Sequence, residues 1–217
     1  MAADWFDMLP SAAELSEESR RILRACPEMS VDTGAVLFRP GSLCQGLPIV
    51  ISGSVRVRLI GENGREIVLY RVRSGQACIM TSTCLLGNEP YAAEGIAETA
   101  TTLRLVPPAQ FEALVGTEAA FRRLVFAGFA TRLADSFALV EDVAFRPVAA
   151  RLARLLLARE DAGSVHLTHE ALAAELGSAR EVVSRALSAL AARGWVATHR
   201  GGIDLLDRAA LRVLAEP

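Results

Sequence analysis

The sequence predicts an α+β protein in three parts: a small antiparallel β-barrel or sandwich, one long helix, and a helix-turn-helix with a β-wing. Three observations predict it. Short strand patterns broken by Gly, Asp and Pro turns recur across residues 31–106, as in closed or two-layered β structures. A helical period with aromatic residues three and four apart then runs over residues 117–143. Two short helical patterns joined at Gly177 follow, with a strand pair around Gly201-Gly202 behind them. The expected boundaries are 1–116, 117–144 and 145–217.

Taken in order, residues 12–25 read as a helix capped by Ser16 or Ser11, because a Ser hydroxyl accepts from the free N–H groups of a first turn. Asp32-Thr33-Gly34 and Arg39-Pro40-Gly41 are turns around the strand 35–38. Residues 48–51, Gly53 and residues 55–59 give a half-buried alternating strand. Glu62-Asn63-Gly64 is a hairpin turn from which residues 67–70 return. The hydroxyl-rich stretch 79–83 reads as a flexible loop, and residues 101–105 as the last strand before Pro107-Pro108. Within 117–143, Phe126, Phe129, Leu133, Phe137 and Val140 form one apolar stripe. A helix joining two domains has nothing of its own to bury such a stripe against, so the expectation is a dimer seam. Phe145-Arg146-Pro147 breaks this helix, and Pro147 suits the first turn of the next, 148–158.

Thr168 caps the first short helix, Leu172 and Leu176 share its inner face, and Ala173 is small where a second helix must pass. Gly177 ends it in the left-handed conformation. Ser178 is expected to cap the second helix, with Glu181 completing a capping box. At about 100° per residue, Arg180, Glu181, Ser184 and Arg185 gather on one side and Val183, Leu187 and Leu190 on the other. The outer set carries the chemistry of base edges. Arg donates twice to guanine, Glu accepts from cytosine N4, and Ser serves either way. His199 and Arg200 stand at the tip of the wing, 194–205, where phosphates pass; Thr168 and Ser178 are expected to position phosphates too. The alternative is an ordinary helical hairpin with a solvated charged face. The wing beside it favours DNA.

The net charge of −2 looks wrong for a DNA binder until it is divided. From Phe145 onward ten Arg face eight acidic residues and all three His are present; before it thirteen Arg face seventeen acids. The basic excess therefore lies with the helix-turn-helix but is small, which implies modest non-specific affinity and reliance on two copies. No run of 18 apolar residues and no secretory signal is present, so the expected location is the cytoplasm. An enzyme is not expected: no His lies near a Ser or Cys nucleophile in the strand region, and no Gly-rich phosphate loop appears.

The string Gly177-Ser178-Ala179-Arg180-Glu181-Val182-Val183-Ser184-Arg185 resembles the recognition-helix motif of the Crp/Fnr family of bacterial transcription regulators. The resemblance extends over nearly the whole chain, including Ile51-Ser52-Gly53-Ser54-Val55, similar to a turn of that family's effector domain. It implies an N-terminal β-roll of the cyclic-nucleotide-binding type that senses a signal, a dimerisation helix, and a winged helix-turn-helix on a palindrome. Glu181, Ser184 and Arg185 match the Fnr branch, which reads TTGAT-type half-sites, whereas Val182 stands where the family commonly has Thr. The implied partners are double-stranded DNA, a second copy of the chain, RNA polymerase and an effector, with no membrane.

The effector is less legible. By alignment, Ile79 and Met80 stand where cyclic-nucleotide members have Gly-Glu, and Tyr91 where they have the phosphate-binding Arg. A buried phosphate without its cation is poorly compensated, so cyclic AMP or GMP held in the family's manner is not expected. The four cysteines, Cys26, Cys44, Cys78 and Cys84, are 18, 34 and 6 residues apart and form no ligand run. No His precedes His166. No cofactor is therefore assigned, although an iron-sulfur cluster, haem or another small molecule remain alternatives. Cys78 and Cys84, flanking the loop beside Met80, are the candidate sensor: a thiol pair that oxidation would bridge, or else two small core residues.

Overall fold

The computed structural model describes residues 5–9, 12–61, 64 and 66–216. The expected turn at Glu62-Asn63 and the cap candidate Ser11 lie outside them. After two 3-10 turns, Trp5–Met8 and Ala12–Glu14, the elements are α1 (Glu17–Ala25), β1 (Glu28–Val31), β2 (Val36–Phe38), β3 (Leu47–Ser52), β4 (Ser54–Ile60), β5 (Glu66–Arg73), α2 (Ile79–Gly87), β6 (Glu94–Ala97), β7 (Thr101–Val106), α3 (Pro108–Thr117) and α4 (Ala119–Phe145). Then come α5 (Val148–Arg159), β8 (Ser164–Val165), α6 (His169–Leu176), α7 (Arg180–Ala192), β9 (Val196–His199), β10 (Gly202–Leu205) and α8 (Arg208–Ala215).

The chain divides into two compact units, residues 1–60 with 69–135, and residues 61–68 with 136–217. In the first, two antiparallel sheets have strand orders β1-β7-β3 and β2-β6-β4-β5. Phe38, Val50, Val55, Val57 and Val72 from both sheets share one core cluster. β3 is buried on both faces, because Leu47 and Ile49 enter a second cluster with Leu23, Phe111 and Phe121 from α1, α3 and α4. This explains its continuous apolar run. Gly53 joins β3 to β4 at φ +88°, and a Cβ there would collide with the Ala100 carbonyl, so only Gly fits this turn.

Ser16 caps α1 by accepting from the Ser19 N–H. The helical pattern read over 117–143 is α4, which starts two residues later at Ala119; Thr117 ends α3, which Pro107-Pro108 start, and Glu118 separates the two. Glu118 accepts from the Ser16 and Ser19 hydroxyls, both at 2.7 Å, and from the Ser16 N–H at 3.2 Å. These donors, the Ser16 hydroxyl foremost, lower its pKa from 4.5 to about 2. A carboxylate whose folded pKa is depressed stabilises the fold above its unfolded value and loses that contribution as pH falls toward the folded one. Glu118→Gln is therefore expected to lower Tm at neutral pH. Below about pH 4.5 the gap from wild type should shrink, as thermal melts at stepped pH would show. A gap independent of pH refutes the assignment.

In the second unit, α5 to α8 surround a core of Leu152, Leu156, Leu172, Leu176, Val183, Leu187 and Leu190. A three-stranded sheet of order β8-β10-β9 stands beside it, with Gly202 paired to His199 at the wing tip. Pro147 is the N-cap of α5, one position before the expected first turn. Among the described residues no helix is long and apolar enough to cross a membrane.

Candidate nucleic-acid interface

Thr168 caps α6 as expected, its hydroxyl accepting from the Ala171 N–H at 3.1 Å. Gly177 closes the helix in the left-handed region, φ 58° and ψ 37°, and the Ser178 N–H bonds back to the Ala173 carbonyl at 2.9 Å. That closure delays the next helix. The N-cap of α7 is Ala179, with no side-chain cap, so the expected capping box of Ser178 and Glu181 is absent. Ser178 stands one residue too early because its own N–H is spent on the Gly177 turn.

The two faces of α7 separate as the period requires. Val183, Leu187 and Leu190 are buried, whereas Arg180, Glu181 and Arg185 are exposed. Ser184 is half-buried between them, and its hydroxyl meets His169 Nδ1 at 2.8 Å. Sequence reasoning missed this His, which ties α7 to the start of α6. It also missed buried Arg151, whose guanidinium donates to the Leu176 carbonyl and occupies an otherwise open helix end.

Several arginines of this unit have partners. Arg159 pairs with Glu175 at 3.1 Å, Arg208 donates to Glu160 at 2.8 Å, and Arg193 lies 4.9 Å over the Trp195 ring. Among the described residues the side chains of Arg180, Arg185 and Arg200 form no hydrogen bond or ion pair. Exposed cations left without partners are what a phosphate backbone and base edges need. His199 differs: its Nε2 approaches Asp204 at 3.4 Å, and Ser164 donates to the same carboxylate at 2.6 Å. Those contacts, the Ser164 hydroxyl first, lower the Asp204 pKa and brace the wing under Arg200.

The α4 stripe is only partly as expected. Phe126, Leu133, Phe137 and Val140 are 56–66% exposed. Phe129 instead is half-buried and packs on the core of the first unit, because it lies closer around the helix to buried Phe121 and Val125.

The stretch between the sensor candidates departs further from expectation. Residues 79–83 are not a loop but the start of α2, with Cys78 at its N-cap and Cys84 inside it. Six residues along a helix separate Cα atoms by about 9 Å, beyond the ~7 Å limit for a disulfide. Both sulfurs are buried in the core. Burial pushes both thiols up, Cys84 to about 11, which suppresses the reactive thiolate. Treatment of the folded protein with diamide is thus expected to leave Cys78 and Cys84 unlinked. A Cys78–Cys84 peptide in a non-reducing digest would show the opposite. Met80 packs against this cluster, its N–H donating to the Tyr70 hydroxyl at 2.8 Å. Tyr91, at the position of the expected missing cation, stacks on Phe38 with centroids 4.3 Å apart and reaches Thr81 and Cys44 through its hydroxyl.

A family model described as the Crp-like helix-turn-helix domain matches residues 150–214, and one described as the cyclic nucleotide-binding domain matches residues 28–118. The transcriptional regulator SdrP of Thermus thermophilus is 31% identical over 176 residues, covering 77% of this chain and 82% of that protein. The cyclic AMP receptor protein of the same organism is 29% identical over 185 residues, covering 84% and 85%. Among solved structures, a Crp/Fnr-family regulator from Eubacterium rectale has a TM-score of 0.87 at 27% identity, covering 96% of this chain and 99% of that one. A Crp/Fnr regulator from Thermus thermophilus has 0.74 at 27%, covering 88% and 99%. With a winged helix-turn-helix behind a β-roll, and relatives matched along both, the chain belongs to the Crp/Fnr family of transcriptional regulators.

Proposed function

We propose that this protein acts in the cytoplasm as a homodimer that grips a palindromic TTGAT-like site, and that a signal at the β-roll sets its affinity. In this reading Arg180, Glu181 and Arg185 read base edges. Ser184, held by His169, assists at the edge of the face. Thr168, Ser178 and Arg200 position phosphates, with His199 bracing the wing. Phe126, Leu133, Phe137 and Val140 form the seam between the two copies, which brings two α7 helices to half-sites one turn apart. RNA polymerase is the expected downstream partner. The observation that carries the reading is the set of unpartnered, exposed arginines on α7 and the wing.

Gel retardation tests it. A duplex carrying inverted TTGAT half-sites should be retarded at moderate salt, at least about 1,000-fold more tightly than a scrambled duplex. Equal retardation of both duplexes would defeat the site assignment, and no retardation at all would defeat the DNA-binding reading. The signal is read as something other than a cyclic nucleotide held in the usual way, because the Tyr91 ring supplies no charge for a phosphate.

A further inference from the structure

We propose that the open edge of the β-roll holds a binding site for an apolar monocarboxylate, and that Tyr91 passes its occupancy to the long helix. The inference rests on the reading of the protein as a regulator with its signal at the β-roll.

A cavity of about 370 Å³ lies between β2 and the sheet of β1, β7 and β3. Its walls are Val36, Phe38, Pro48, Leu103 and Leu105, with Tyr91 beside Phe38. That size lies within the range of about 300–1,000 Å³ found for sites that enclose small organic molecules, and such sites are mostly apolar with few polar groups. Arg39 and Ser42 also line it, and no acidic side chain does. The Arg39 side chain is 70% exposed, and its Nε stands 3.8 Å from Glu94, beyond hydrogen-bond distance. Glu94 is already gripped by Arg58 at 2.5 and 2.8 Å. Arg39 therefore keeps its guanidinium fork for another carboxylate. An apolar body against Phe38 and Leu103, with one carboxylate on Arg39, fits both the walls and the charge. Ile79 and Met80 take no part in this cavity.

The cavity is wired to α2. The Arg39–Ser42 turn is closed by the Ser42 hydroxyl donating to the Arg39 carbonyl at 2.6 Å. It is also bonded to both main-chain groups of Tyr91: the Gly41 N–H donates to the Tyr91 carbonyl at 2.8 Å, and the Tyr91 N–H to the Ser42 carbonyl at 3.1 Å. The Tyr91 hydroxyl meets that of Thr81 on α2 at 3.2 Å. Ile79, on the same helix, rests on Gly128 of α4, where any Cβ would collide with it. A molecule wedged against the Tyr91 ring thus bears on α2 and, through Ile79, on the helix that carries the exposed apolar stripe.

Calorimetric titration and thermal shift with 2-naphthoate and with decanoate test the site, using the neutral 2-naphthamide as control. Binding of at least one carboxylate, at least tenfold tighter than the amide, is expected. Arg39→Ala should abolish the preference for acid over amide, and Leu103→Trp should lower carboxylate affinity at least tenfold by filling the cavity. Binding of naphthoate alone, of decanoate alone or of both upholds the site and says whether aromatic or alkyl acids are preferred. No binding of either, or binding untouched in Arg39→Ala, which leaves the core intact, overturns it. Gel retardation with and without the bound acid tests the coupling. Wild-type DNA affinity should shift at least fivefold, while Tyr91→Phe should keep acid binding within threefold and lose the shift. A Tyr91→Phe shift equal to wild type overturns the role of the hydroxyl. If ligand-free and acid-bound protein both fail to retard any duplex while the acid binds as described, the regulator reading falls and the cavity stands.

Discussion

Replacing Leu133 and Phe137 together by Glu is expected to leave a folded monomer and to weaken binding to a palindromic site by at least about 100-fold, the avidity that a second linked half-site supplies. The argument starts from exposure. Leu133 is 56% and Phe137 66% exposed, in line with Phe126 at 60% and Val140 at 64% on the same helix. Substitution there removes no core contact, so circular dichroism and Tm of the isolated fold should change little. In a seam of two copies, however, four carboxylates would face one another in an apolar interface, where unpaired charge is strongly disfavoured. Sedimentation equilibrium reads the first outcome and gel retardation the second. A variant that sediments as a dimer places the interface elsewhere. A wild-type protein that sediments as a monomer removes it altogether. Phe129→Glu is the control with the opposite signature: its ring packs on the core of the first unit, so the loss should appear in stability.

Arg185→Ala carries the second large effect. A side chain that donates twice to a guanine discriminates it by about 1–3 kcal/mol, and a palindrome uses two copies, so discrimination should fall by about 2–6 kcal/mol. That is roughly 30- to 10⁴-fold in relative affinity. Arg185 is exposed on α7, so the loss should come without unfolding. Arg200→Ala is the contrast. It should weaken all duplexes alike and flatten the salt dependence by about one unit of slope per copy, as expected for a phosphate contact. Affinities of both variants on the cognate and guanine-substituted duplexes, at three salt concentrations, separate the roles. If Arg185→Ala retains the full preference for guanine, another residue reads that base.

The parts of this protein that announce themselves do so through period and punctuation. Gly177 needed only its type and position to be placed, because the left-handed closure of a helix has few other tenants. The split of α7 into Val183, Leu187 and Leu190 inside and Arg180, Glu181 and Arg185 outside follows from 3.6 residues per turn. Other elements gave no such sign. In α2, Thr81, Ser82 and Cys84 are buried without alternation, and Ser82 and Thr83 return their hydroxyls to carbonyls four residues back. Hydroxyl-rich sequence reads as loop because those hydroxyls usually compete with the helix; here they are absorbed by it. β6 reads Glu-Gly-Ile-Ala, a poor strand alone. Arg58 across the ladder holds buried Glu94, and Phe38 fills the space over Gly95.

The sequence by itself determined the order of β-roll, long helix and winged helix-turn-helix, and the division of α7 into a charged and an apolar side. Those rest on local spacing and residue type, which the chain carries wherever it folds. Tertiary structure alone decided that Cys78 and Cys84 stand at the N-cap and inside one helix, buried in the core, that Phe129 belongs to the core, and that His169 holds Ser184. It alone left Arg39 weakly paired beside an apolar cavity. Each of these depends on which distant segment arrives opposite a side chain, and that is set by the packing of sheets and helices.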